Sequence, residues 1–477
     1  MNKIKPRIGV LAFQSQWFKD AGLTGGNEAG AARSLGETIL ADSRFIAETL
    51  EKHAAVVMPE PVTTAVQASE AAQEFIREQV DLVVICPIVW SEDTPLFKVF
   101  PLLQRFPLVL WCYSPHLRPP APETLMGYLR NSGLVGAMQF SGALKKCGLE
   151  FEFVVGSVRE EATINRLMTI ADAAAVRARL RETKLGVVAC PCDQMRALYS
   201  DEVTLVQKLG VTLKYGSVAQ LAEQSRRVRE AEVNEFVHKL RSRFHTAGAE
   251  DEAIVESVRA SLGVGRLLEA MGVDAIVLND VDEEMHQTFG LRPGFYPWMF
   301  SEDKRVIGLE GDYGTTTMLL ILAMLTGKPV AFEETLSFDL PDNVLVFNHG
   351  GPQDPDLAAN PSDPTITVDV EWSMSSDRYK GAVLEFAARP GCVTMLNHLY
   401  TPQGMQMTVA GGESLGGPPR IPGAPQFIVR PYVPVERFLS TAGQWGATHH
   451  WAMVHGNVVP PIEVFCRLAG IPLLTIK

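Results

Sequence analysis

Two glutamates and two histidines in the second half of the chain could together hold a divalent cation. They are Glu310, one of the adjacent Glu333 and Glu334, His349, and one of the adjacent His449 and His450. A set of carboxylate and imidazole ligands without thiolates suits Mn²⁺ or a similar ion. A cation with open coordination positions can polarise a hydroxy-carbonyl compound. None of the four residues is specific by itself, so the prediction depends on their occurring together in one region of the sequence.

Glu310 follows the predicted strand Arg305–Leu309 and precedes an apolar helical pattern. Open parallel sheets bind ligands beyond the carboxyl ends of their strands, so this position favours a role in a site. Two alternatives remain open from the sequence. Glu310 could simply stabilise the start of the helix, and Asp312 could fill a capping role there.

Two adjacent acids, Glu333 and Glu334, follow the apolar run Pro329–Phe332. Neighbours in a strand point to opposite faces, so only one of the two can share a site with Glu310. The alternative is a pair of exposed carboxylates at a sheet edge.

The candidate histidines occur in two places. His349 ends a predicted strand and precedes two glycines, which would allow a ligand to approach the backbone closely. It could equally be a hydrogen-bonded turn residue. His449 and His450 are adjacent and lie between Trp445 and Trp451.

Other functional classes receive little support. No GxxxxGK[ST] loop is present, and no GxGxxG motif follows a predicted strand, so a nucleotide site is not expected. The formal net charge is −12 and no basic patch offsets it, which argues against nucleic-acid binding. Seven scattered cysteines suggest neither a disulfide framework nor a zinc ribbon. We expect a cytoplasmic protein, since no apolar run is long enough for a membrane span or a signal peptide.

The predicted elements change character along the chain. Short β-branched runs alternate with helical patterns over the first two-thirds, which predicts parallel sheets covered on both faces. Alternating segments punctuated by proline and glycine follow, which indicates antiparallel strands. The predicted fold is α/β, with two doubly wound parallel-sheet domains (1–171 and 172–328) followed by a β-rich, antiparallel and barrel-like domain (329–477).

The order of these motifs resembles the L-arabinose isomerase and L-fucose isomerase superfamily. The resemblance covers the whole chain in order and is strongest from about residue 266 onward. The segments that carry it are Glu310-Gly311-Asp312-Tyr313, Phe332-Glu333-Glu334, Phe347-Asn348-His349-Gly350 and Trp445-Gly446-Ala447-Thr448-His449-His450.

The resemblance implies a metal-dependent aldose–ketose isomerase with Mn²⁺ as the typical ion. Glu310 and Glu334 would be ligands and proton-transfer groups, and His349 and His450 would be ligands. Alignment from Trp445 would instead make His449 the ligand; alignment from Ile471-Pro472 favours His450 and leaves His449 to the substrate. The resemblance also implies that Gln16 contacts sugar across a subunit boundary and that the protein is a homo-oligomer, a trimer or hexamer.

This hypothesis has one alternative within the enzymes and one from a different class. One is a related isomerase for an unusual deoxy- or hexose sugar. The other is a sugar-binding or sensor protein that keeps the fold without the chemistry. A binding protein has no need for both acids together with both histidines, which favours the enzyme. The sugar itself is not determined by the sequence.

Overall fold

The computed structural model describes residues 3–26, 33–119, 124–360, 362–373 and 381–477, and the chain divides into two compact units. The first unit spans Ile4–Ala178 and the second contains Arg179–Lys477. The predicted boundary at 171/172 falls inside a helix, Glu161–Leu180. The second and third predicted domains lie within one compact unit. The three domain ranges remain predictions.

The first unit is built on a five-stranded parallel sheet of order β2-β1-β3-β4-β5. Strands β3 and β4 in the middle of this sheet are buried along their whole length, as expected for a sheet covered on both faces. Its strands are β1 (Arg7–Phe13), β2 (Ala55–Val57), β3 (Leu82–Pro87), β4 (Leu108–Tyr113) and β5 (Glu152–Gly156). Its helices are α1 (Gln16–Asp20), α2 (Leu35–Leu50), α3 (Ala65–Arg77), α4 (Thr94–Leu103), α5 (Leu125–Arg130) and α6 (Gly133–Lys146), with α7 (Glu161–Leu180) leading out of the unit.

The second unit begins with a four-stranded parallel sheet of order β10-β9-β6-β7. The strands are β6 (Lys184–Val188), β7 (Thr212–Gly216), β9 (Ala275–Leu278) and β10 (Val306–Gly308). The accompanying helices are α8 (Glu202–Leu209), α9 (Val218–Arg226), α10 (Glu230–Arg243), α11 (Asp251–Met271), α12 (Glu283–Phe289) and α13 (Tyr313–Thr326).

A ten-stranded mixed sheet completes the second unit. Six of its strands close into an antiparallel barrel, in the order β16-β15-β18-β11-β12-β17 and back to β16. The strands are β8 (His245–Thr246), β11 (Val330–Asp339), β12 (Val344–Asn348), β13 (Thr365–Val368), β14 (Ala382–Ala387), β15 (Gly391–Thr401), β16 (Gly404–Ser414), β17 (Pro425–Pro431), β18 (His450–His455) and β19 (Leu473–Ile476). The helices are α14 (Val370–Ser373), α15 (Val435–Trp445) and α16 (Val459–Ala469). The predicted fold class is confirmed.

Helix α13 joins the parallel sheet to the barrel. Every residue from Tyr313 to Leu325 is buried, as expected for a helix that is apolar on all sides and lies inside a protein. It packs against β10 of the parallel sheet and against β11, β15 and β18 of the barrel. Residues at its start are therefore placed between the two sheets. Among the described helices, none is long and apolar enough to cross a membrane.

Candidate functional site

Glu310 lies where the chain leaves β10 and turns into α13. Its φ of 55° is in the left-handed region, which a residue with a side chain adopts only when its surroundings hold it there. Its backbone N–H donates to Oδ1 of Asp280 at 2.8 Å, and Asp280 follows the neighbouring strand β9. Asp280, which follows β9, thus fixes the backbone of Glu310, which follows the neighbouring strand β10. Glu310 is held in a strained, buried position.

Glu334 and the two histidines come from adjacent barrel strands. Glu334 on β11 pairs with His450 on β18 on one side and with Asn348 on β12 on the other. His349 directly follows Asn348. Strand pairing alone therefore places Glu334, His349 and His450 next to one another, although they are distant in sequence.

Glu310, which follows the last strand of the parallel sheet, lies close to His349 and His450 of the barrel. Oε1 of Glu310 is 3.5 Å from Nε2 of His349, and its Oε2 is 3.2 Å from Nε2 of His450. Glu310, His349 and His450 each offer a ligand atom within 4.8 Å of the others, and Glu334, His449 and His450 form a second such group. The structure brings together all four predicted metal ligands, with His450 common to both groups.

The donor atoms fit a cation. Oε2 of Glu310 and Nε2 of His450 are buried, face each other and lack a hydrogen-bond partner of acceptable geometry. Such buried polar atoms need a partner, and a divalent ion that prefers oxygen and imidazole ligands would supply it. The identity of the ion remains a prediction.

Hydrogen bonds to the other ring nitrogens orient both imidazoles. Nδ1 of His349 donates to the carbonyl oxygen of Gly350 at 2.8 Å. Nδ1 of His450 donates to Oδ2 of Asp312 at 3.0 Å. Each imidazole therefore turns its Nε2 toward Glu310. With the proton on Nδ1, Nε2 has the lone pair that a metal ligand requires. Phe332 packs edge-on against both rings, with centroid distances of 5.0 and 4.6 Å, and limits their rotation.

Asp312 has a second role that the sequence did not reveal. It caps α13, as one alternative predicted, by accepting from the N–H and the Oγ1 of Thr315. Its Oδ1 is also 3.5 Å from Nε2 of His398, a buried residue of β15. Asp312 thus connects the helix start to His450 and His398. The only local signal for this role is its position two residues after Glu310.

The charges in the site shift the pKa values in opposite directions. Burial opposes ionisation of Glu310, but the close contacts with His349 and His450 and the charges of these imidazoles outweigh it and lower its pKa. Burial disfavours a charged His349, yet the carboxylate of Glu310 raises its pKa to about 10. Burial raises the pKa of Glu334, against the opposing charge of His349. Without a cation, Glu310 and His349 form a carboxylate–imidazolium pair.

Glu333 faces away from this site. It is 0% exposed and pairs in register with Trp451, a residue of the apolar core. Burial raises the pKa of its carboxyl group well above the ordinary value. The alternative that Glu333 and Glu334 are both exposed edge carboxylates is therefore wrong, because barrel closure covers the face to which Glu333 belongs.

The two predicted substrate-binding residues lie in different units. His449 is half-buried beside His450, with ring centroids 4.3 Å apart, and its carbonyl accepts from the N–H of Thr335. Gln16 begins α1 in the first unit, where its Nε2 donates to Asp20 at 2.9 Å. Contact of either residue with sugar remains a prediction.

Comparisons with known proteins agree with the motif order. Residues 188–328 match the family model of the L-arabinose isomerase central domain. A sulfoquinovose isomerase from Priestia aryabhattai is 23% identical over 362 residues, 76% of this chain and 78% of the relative. An L-arabinose isomerase from Erwinia tasmaniensis is 23% identical over 356 residues, 72% of this chain and 70% of the relative. A sulfoquinovose isomerase from Clostridium sp. (strain MSTE9) is 24% identical over 416 residues, with 84% and 87% covered.

Proposed function

Because the chain belongs to the L-arabinose isomerase-like family of sugar isomerases, we propose that it interconverts an aldose and a ketose with the help of a divalent cation. The observation that carries the proposal is the convergence of Glu310, His349 and His450 at one buried point, with Glu334 beside His450. We propose these four residues as the ligands, with Mn²⁺ as the ion that their chemistry suits.

The two glutamates are proposed to exchange protons with the sugar. Moving the carbonyl from C1 to C2 requires removal of the proton on C2 and delivery of a proton to C1, through an ene-diol, while the hydroxyl proton passes from O2 to O1. One carboxylate accepts the first proton and a carboxyl group delivers the second. The surroundings drive the two pKa values apart, lowering that of Glu310 and raising that of Glu334, as a pair with separate acid and base roles needs. A bound cation would polarise the two sugar oxygens.

The proposal is tested by turnover of a panel of aldoses before and after removal of metal. The panel includes L-arabinose, L-fucose and sulfoquinovose, since the named relatives differ in substrate. We expect ketose formation from at least one sugar, loss after exhaustive chelation and recovery with Mn²⁺. Full activity in protein shown to be metal-free would contradict the metal site. Tight sugar binding without turnover of any aldose would favour the sugar-binding alternative.

Matched variants on one strand separate chemistry from folding. Glu334→Gln should lower turnover by roughly 10²–10⁴-fold, as expected for loss of a general acid–base group. Glu333→Gln is the control, because this neighbour is buried on the opposite face of the strand, where it pairs with Trp451 of the apolar core. Equal turnover in the two variants would remove Glu334 from the mechanism.

A further inference from the structure

A buried arginine lies behind the candidate metal ligands. Arg292 is 1% exposed and its guanidinium contacts three carboxylates. Its Nη1 donates to Oδ2 of Asp280 at 3.2 Å, its Nε donates to Oδ2 of Asp369 at 2.7 Å, and an Nη2 hydrogen bond reaches Glu371. The guanidinium donates to all three carboxyl groups and is buried, so Arg292 is shielded from any substrate.

Arg292 is tied to the metal ligands from two sides. Asp280, which it holds, accepts the backbone N–H of Glu310. On the other side its guanidinium lies against Gly350, next to His349. A Cβ at Gly350 would come within 2.8 Å of Nη1 and Nη2, so only glycine allows this approach. The guanidinium, and the three carboxyl groups that it contacts, are thereby fixed in position relative to the proposed metal ligands.

Glu371 on α14 is the partner of Arg292 that reaches solvent. Its side chain is 56% exposed, whereas those of Asp280 and Asp369 are 1% exposed. Its charge acts on Glu310, His349 and Glu334. Burial disfavours its ionised form, but the charge of Arg292 and the hydrogen bond to it outweigh this and lower the pKa of Glu371. The result is an exposed, ionised carboxylate held in place by a guanidinium that lies against Gly350, the residue next to His349.

Resting on the proposed function, we infer that Glu371 is a specificity-determining residue that selects neutral sugars over anionic ones. A fixed carboxylate accepts hydrogen bonds from sugar hydroxyls. It repels a sulfonate or phosphate group brought near it. Arg292 cannot compensate such a group because its donors already serve three carboxylates. Arg292 is the positioning residue for Glu371.

Binding to the full chain loaded with Mn²⁺ tests this inference. The two probes are a hexitol and the same hexitol with a sulfonate at C6, and the readout is the ratio of their dissociation constants. We expect the unmodified protein to prefer the neutral hexitol. Glu371→Gln should reduce that preference by roughly tenfold, and Glu371→Lys should invert it. Glu235→Gln, at an exposed carboxylate paired with Lys239 on α10, is the control and should leave the ratio unchanged.

A purely structural role would give a different pattern. Loss of a structural contact would lower the melting temperature and weaken both probes alike, so the ratio would stay constant. A ratio that moves less than twofold in Glu371→Gln, or an unmodified protein that prefers the sulfonated probe, would overturn the inference. Because the readout is binding, a lack of isomerase turnover would contradict the proposed function alone, and the ratio would still decide the role of Glu371.

Discussion

His450 is held by carboxylates at both ring nitrogens, Asp312 at Nδ1 and Glu310 at Nε2. It is 0% exposed, and Phe332 packs against its face. A buried imidazole with this arrangement has one orientation and one nitrogen directed at the ligand cluster. His449 has no comparable anchor among its described contacts, and burial together with the charge of His450 lowers its pKa. The two neighbours therefore differ in what they can do, despite being adjacent in sequence.

We expect His450→Ala to abolish binding of Mn²⁺ and His449→Ala to retain it. Loss of His450 removes a ligand common to both candidate groups and leaves Asp312 and Glu310 without the imidazole between them. His449→Ala should instead weaken sugar affinity. Metal content after dialysis and the KM of the substrate sugar measure the two effects, and each variant serves as the control for the other. The reverse result would make His449 the ligand, as alignment from Trp445 suggests.

At the scale of elements, the start of α13 must fit tightly against β15. Gly314, in the first turn of the helix, allows His398 to approach Asp312. A Cβ at Gly314 would be 2.1 Å from Cε1 of His398 and 2.3 Å from Oγ of Ser200, so something would have to shift. The helix that carries Asp312 is therefore positioned by a residue without a side chain.

Gly314→Ala is expected to destabilise the protein by roughly 1–3 kcal/mol, the usual cost of overpacking a core. Gly443→Ala is the matched control, because Gly443 is an exposed residue of α15 and no atom lies within 4 Å of the position that an alanine methyl group would take. There alanine should be neutral or stabilising by up to about 1 kcal/mol. Urea unfolding of both variants measures the difference. Equal stabilities would show that the contact between α13 and β15 has room to relax.

The secondary-structure elements and the types of the candidate ligands could be predicted from the sequence, but the contacts between distant elements could not. The position of Glu310 after a strand and the alternation of Glu333 and Glu334 follow from local rules. The burial of Glu333 depends on barrel closure through the pairing of β16 with β17. The contact of Asp312 with His450 joins residues 138 positions apart. Local patterns do not encode such pairings, and so they came only from the structure.

At the scale of the whole molecule, the ligand cluster links folding stability to pH in the metal-free protein. The pKa of His349 rises from an ordinary value of 6.5 to about 10 because Glu310 lies against it. A raised pKa in the folded state means stabilisation that is fully present below pH 6.5 and is lost as pH rises through about 10. The pKa of Glu310 is lowered from 4.5, so its contribution is present above pH 4.5 and is lost as pH falls below it. The charged pair therefore stabilises the fold most between pH 4.5 and pH 6.5, and its contribution declines as the pH rises to about 10.

This linkage predicts a pH-dependent effect of one substitution. In metal-free protein at pH 7, His349→Gln leaves the buried carboxylate of Glu310 without one of its cationic partners, and we expect a loss of roughly 3–5 kcal/mol. At about pH 10.5 the imidazole of the unmodified protein is itself largely uncharged, so the two proteins should differ much less. Groups that titrate alike in both proteins contribute nothing to the difference between their free energies of unfolding.

His245→Gln, at an exposed histidine of β8, is the control and should show little effect at either pH. Chemical unfolding of the three metal-free proteins at both pH values is the measurement. A His349→Gln penalty that is the same at pH 7 and pH 10.5 would show that the imidazole stabilises the fold by packing against Phe332 and not by its charge.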